Sequence, residues 1–150
     1  MTLPAQSVGA SQIVTSAGLP ASTLQHRINK SYSQPGATDS AADSKVVHIA
    51  YAAGTLLSVK CGLKTVCTST QKVTVDVKYY RDGAAGQTML TAPYELTASS
   101  TAMHFYTASI NSSYDDYLAE DIIEVIIALS GSGTIGKGVF VELVCNEDAA

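Results

Sequence analysis

From residue 45 onward, hydrophobic and polar positions along the chain alternate with the period of a β-strand. Val47, Ile49 and Tyr51 alternate with Val46, His48 and Ala50, and Gly54 closes that run. Residues 55–66 read as a second strand region, broken at Gly62. The clearest segment is 72–80. Val73, Val75, Val77 and Tyr79 share one face, and Thr74, Asp76, Lys78 and Tyr80 the other, which is the pattern of a half-buried strand. Arg81-Asp82-Gly83 then turns the chain. Residues 89–98 and 102–110 are predicted as further strands, and 115–121 as an acidic turn or a single helical turn. Residues 122–129 are apolar on both faces, which predicts a central strand. A glycine-rich stretch, 130–138, leads into a last strand at 139–145. About seven or eight short strands with little helical signal predict an all-β sandwich or barrel.

Residues 1–44 follow a different pattern. Up to Thr38 the only charges are Arg27 and Lys30, and Pro4, Pro20 and Pro35 punctuate a stretch of Ala, Ser, Gly and Gln. Apolar residues occur singly or in one pair: Leu3, Val8, Ile13, Val14 and Leu19. The stretch is too apolar for a solvated tail and too irregular for a core element, which predicts an arm that becomes ordered against another surface. Within it, Leu24, Ile28 and Tyr32 recur every fourth residue, as on one helical face. The same residues also alternate with His26 and Lys30 as Leu24, His26, Ile28, Lys30, Tyr32, so a strand fits equally well. Residues 34–44, with Pro-Gly and two aspartates, read as a loop. The organisation expected is an extended N-terminal arm and loop over 1–44 and a β-sandwich domain over 45–150.

The length of 150 residues suits one domain. Charged residues are only 15% of the chain, against a usual share of about 25%, with Ser and Thr supplying polarity instead. The net charge is −4 and the pI about 5.2, and residues 115–148 hold eight acids against one lysine. This balance argues against nucleic acid as a partner. The first 30 residues lack a basic region followed by an apolar run, so no secretory signal is expected. No apolar run reaches the roughly 18 residues a bilayer demands, so no membrane partner is expected. The three cysteines, Cys61, Cys67 and Cys145, lack metal or redox spacing and read as small buried apolar residues.

Motifs with chemical content are few. Gly131-Ser-Gly-Thr-Ile-Gly136-Lys137-Gly138 comes close to a phosphate-binding loop. Gly138, however, stands where a hydroxyl would hold Mg²⁺, and Val139-Phe-Val-Glu-Leu-Val alternates as a strand, so no helix N-terminus follows. The segment reads as a hairpin loop. Asp115, Asp116, Glu120 and Asp121 lack the spacing of a calcium loop and read as a solvated turn. His26, His48 and His104 are far apart, and His48, His104 and Glu142 have no metal-site spacing. Asn111-Ser112-Ser113 is a glycosylation sequon that reads as a turn. Tyr79-Tyr80 and Phe105-Tyr106 read as strand-face packing, with sugar stacking as the other use of such rings. No catalytic residues, metal or cofactor are expected, and the chain does not read as an enzyme.

The nearly uncharged arm, the run of short strands and the closing unit of residues 120–129, glycine turn and 138–147 together resemble the jelly-roll decoration, or cement, proteins of tailed-bacteriophage capsids. That resemblance implies a jelly-roll-like antiparallel β-sandwich and a structural role on the capsid exterior after synthesis in the host cytoplasm. It also implies a homotrimer bound to the major capsid protein at capsomer junctions, with the arm docking. The expected arm contacts are Leu3, Val8, Ile13, Val14, Leu19, Leu24 and Ile28. The competing reading is a carbohydrate- or receptor-binding β-sandwich of a virion fibre or spike.

Overall fold

The computed structural model describes residues 25–148. Ten strands and no helix occur among them: β1 (Gln25–Ser33), β2 (Asp43–Ile49), β3 (Gly54–Thr65), β4 (Lys72–Tyr80), β5 (Gln87–Thr88), β6 (Tyr94–Leu96), β7 (Tyr106–Ala108), β8 (Asp116–Tyr117), β9 (Ile122–Ser130) and β10 (Lys137–Asp148). They form two antiparallel five-stranded sheets. The first runs β1-β10-β3-β7, with β8 also on β3; the second runs β2-β9-β4-β5, with β6 also on β4.

The pairing is nested. β1 pairs with the last strand, β2 with the one before it, and β3 and β4 with the short pieces between. Counting β5 with β6 and β7 with β8 as interrupted strands leaves eight, rolled up as one long hairpin. That is the jelly roll, an antiparallel β-sandwich.

The alternation read from sequence places the core. In β4, Val73, Val75 and Val77 are fully buried and Tyr79 nearly so. In β10, Val139, Val141, Leu143 and Cys145 point inward, and in β9 Ile123, Val125 and Ile127 do. β9 is central, between β2 and β4, although its outer residue Ile122 keeps 38% of its surface exposed. Apolar on both faces therefore means flanked on both edges here, not covered on both faces.

Several boundaries differ from the sequence reading. Residues 25–33, placed in the arm, are strand β1, in register with β10 from Gln25↔Asp148 to Ser33↔Phe140. The alternation Ile28, Lys30, Tyr32 prevails over the four-residue spacing because β10 offers a free edge to pair with. Gly62 does not break β3. A Cβ there would sit 2.2 Å from the His104 carbonyl oxygen and 2.5 Å from the Phe140 ring, so glycine is what lets both press onto the strand. Residues 89–98 and 102–110 yield only the short β6 and β7, because Pro93 lacks an amide and Met103 takes a positive φ of 57°. The 131–136 segment is not a hairpin, since β9 and β10 lie in different sheets. It crosses between them, tied to the β3–β4 crossing by Thr68 N–H to Thr134 O at 3.0 Å and Thr70 N–H to Ser132 O at 3.1 Å.

Candidate functional site

Three polar arrangements stand out in this frame. The first is internal. Glu147 is the last inward position of β10, and His48 is the inward position opposite Ile123 on β2. Both are about 95% buried, and His48 Nε2 and Glu147 Oε1 are hydrogen-bonded across the two sheets. The Tyr117 ring meets His48 edge-on with centroids 6.2 Å apart, and its hydroxyl donates to the Asn146 carbonyl at 3.4 Å. Burial pushes the Tyr117 hydroxyl well above its ordinary range and the Cys145 thiol up to about 11. The cluster clasps the sandwich at one end, and Tyr117 also lines a cleft of about 260 Å³ with Gly54, Thr55, Asp116 and Leu118.

The second lies where the β4 turn meets the acidic turn. Arg81-Asp82-Gly83-Ala84 closes with Ala84 N–H on the Arg81 carbonyl at 2.9 Å, with positive φ at Asp82 and Gly83, as an Asp-Gly turn demands. Arg81 Nε and Nη2 then reach Asp121 Oδ1 and Oδ2 at 3.0 and 2.6 Å, and Leu118 N–H donates to Oδ2 at 2.8 Å. Burial pushes the Asp121 carboxyl up, but the Arg81 fork and the Leu118 amide outweigh it and hold the group below the usual carboxylate range.

The third is a groove of about 490 Å³ between the outer ends of β1 and β2, lined by Tyr32, Gln34, Asp43, Lys45, Val46 and Val47 among others. Tyr32 donates to Asp43 Oδ2 at 2.7 Å and accepts from Gln34 Nε2 at 2.6 Å. Burial, then the neighbouring Asp43, pushes the Tyr32 hydroxyl up to about 12, so it stays a donor at neutral pH. The groove is open, and it is bounded by strand edges.

The expected site residues fare unevenly. Leu3, Val8, Ile13, Val14, Leu19 and Leu24 lie outside the described residues. Ile28 sits in β1, half-buried and opposite Cys145, as part of the sandwich. The acidic cluster does not converge: Asp121 turns inward to Arg81, whereas Asp116 accepts from the Thr55 hydroxyl at 2.7 Å. His48, His104 and Glu142 do not meet either, with His48 inside the sandwich and Glu142 on the outer side of β10. Among the described residues, no three His, Cys, Asp or Glu side chains are grouped to hold a metal. Cys61, Cys67 and Cys145 are all buried and unpaired.

The aromatic pairs divide by face. Tyr79 is core and Tyr106 stacks on Tyr94 at 5.9 Å, whereas Phe105 is half exposed and meets Phe140 edge-on at 5.0 Å. Asn111 accepts the Ser113 amide at 3.1 Å in a local turn. Sequence reasoning missed the His48–Glu147 and Arg81–Asp121 contacts. The available signal was Glu147, an acid on the inward phase of β10; His48 shares its sequence phase with the exposed Val46 and is turned inward only by the register shift between them.

No family model and no curated protein match the chain. Among solved structures it is similar to a chain in the structure of infectious bursal disease virus Gx strain, with 14% identity over 85% of this chain and a TM-score of 0.35. A chain of the Gt strain structure gives 12% identity over 86% and a TM-score of 0.36. This chain spans 38% and 37% of the length of those two. Likenesses this distant carry no argument about function, and the fold assignment rests on the nested strand pairing.

Proposed function

We propose that the chain is a structural virion protein that decorates and stabilises a bacteriophage capsid from outside. It binds the major capsid protein at capsomer junctions, with residues 1–24 as the docking arm. The observation that carries this reading is the joining of two features. A jelly roll with a closed core is preceded by 24 residues without a single Asp, Glu, Lys, Arg or His. Charge is depleted at interface cores, and a segment that orders on contact covers a large area at modest affinity per unit area. Many copies on a symmetric shell then add avidity. The buried polar clusters are structural clasps, which supports a binding role over a catalytic one.

The test is binding to capsid shells of the cognate phage. The full chain should bind, and the chain lacking residues 1–20 should keep its β-sheet circular dichroism and lose binding. Equal binding by the two forms would sink the arm.

A second reading rests on the exposed rings of Tyr51, Phe105 and Tyr114, which keep 82%, 51% and 40% of their surface. Rings so placed can stack on sugars, and the chain would then be a glycan- or receptor-binding module of a fibre or spike. Binding of the isolated chain on a glycan array, abolished by Tyr51→Ala or Phe105→Ala, would favour it. A blank array removes it.

A further inference from the structure

A sandwich of two open sheets has four edges, and natural proteins blunt the edges they do not use with short strands, bulges or lysines. Three edges here are blunted. On one side β5 and β8 have two residues each and β6 and β7 three. On the other side β2 carries a register shift between Val46 and His48 and an exposed Lys45. β1 is different. It carries Arg27 and Lys30, but it runs nine residues with no proline and no shift in register, and among the described residues no strand pairs with its outer edge. The backbone N–H of Gln34 donates to the Val139 carbonyl at 2.9 Å. Because antiparallel pairs alternate, the N–H and C=O groups of Gln25, Arg27, Asn29, Ser31 and Ser33 point away from β10.

We propose that this edge binds a second copy of the chain, β1 against β1 in antiparallel pairing about a two-fold axis at Asn29, which joins the two first sheets into one. Charge placement selects both the occupant and the register. With the axis at Asn29, Arg27 lies opposite Ser31 of the second copy, Lys30 opposite Ile28, His26 opposite Tyr32 and Gln25 opposite Ser33. The whole strand pairs and no two cations face each other. An axis at Arg27 or at Lys30 sets like charges directly opposite, and one at Ile28 sets Lys30 against His26 and leaves the strand end unpaired. A two-fold contact of this kind closes on itself, so it gives a discrete assembly and no filament.

The proposal stands apart from the docking role and fixes an even number of copies; where three-fold contacts also form, the result is a hexamer. The full chain at tens of micromolar is expected to show a native mass that is an even multiple of 15.6 kDa. Asn29→Pro should halve that mass. Proline removes an amide that faces the open edge and none that bonds β10, so the monomer should keep its circular dichroism. If that variant fails to fold, Asn29→Lys, which sets two ammonium groups across the axis, serves in its place and should also halve the mass. Asn29→Cys should form a disulfide-linked dimer on mild oxidation, since the native thiols are buried. A monomeric or strictly trimeric chain, a folded Asn29→Pro or Asn29→Lys chain of unchanged mass, or no cross-link through Asn29→Cys would each overturn the proposal.

Discussion

The His48–Glu147 and Arg81–Asp121 contacts differ in how they hold, and so in how they should fail. His48 and Glu147 sit among apolar side chains, and each is the other's hydrogen-bond partner. Truncating one leaves a buried polar group alone, so Glu147→Ala is expected to cost about 1–3 kcal/mol in urea unfolding. Replacing both residues with leucine should recover most of that loss, because the pair's desolvation penalty disappears with it. Asp121 is buried, but Arg81 is 39% exposed and screened by water, so Arg81→Met should lower the urea midpoint only modestly at neutral pH. The sign with pH follows from Asp121 being held below its unfolded value. Its contribution is complete above that value, near pH 4, and is lost as pH falls through the folded one. Arg81→Met and the parent chain should therefore converge in stability toward acid, and a gap that widened there would contradict the assignment. Neither contact was legible from spacing, since 99 and 40 residues separate the partners. Only the polarity of Glu147 on the inward phase of β10 marked one of the four residues.

At the scale of elements, the strands that the sequence pattern identified are those whose alternation is enforced by a covered face. β4 appears with the bounds its pattern predicts, and the last strand extends on both sides of the predicted 139–145. β1 was undecided because its apolar residues fit both periods, and what settles it is pairing with β10, a contact across more than a hundred residues. The run from 87 to 117 was the least legible, because its short strands are defined by edges and turns more than by alternation. Gly62 shows the same limit from the other side: glycine within a strand reads as a break, yet here it marks a close approach. Gly62→Val should overpack the contact with the His104 carbonyl and the Phe140 ring and destabilise the chain by about 1–3 kcal/mol or more. Urea midpoints of this variant and of Gly83→Val, whose Cβ meets nothing within 4 Å, separate overpacking from the backbone strain that the latter's φ of +72° imposes.

For the whole molecule, the nested pairing of ten strands makes a sandwich around one apolar core, among the described residues. Fold class was therefore legible from alternation and turn spacing, and strand order was not, because nothing local records which strands meet. Jelly rolls serve capsids and lectins alike, so the fold narrows function without choosing it. The proposed choice rests on the uncharged segment 1–24 that precedes the sandwich in sequence. Cosedimentation with capsid shells of the cognate phage tests that most directly. The full chain should pellet with the shells, and the folded chain lacking residues 1–20 should remain in the supernatant. A full chain that stays in solution, or a truncated one that pellets as well as the full chain, would contradict the account.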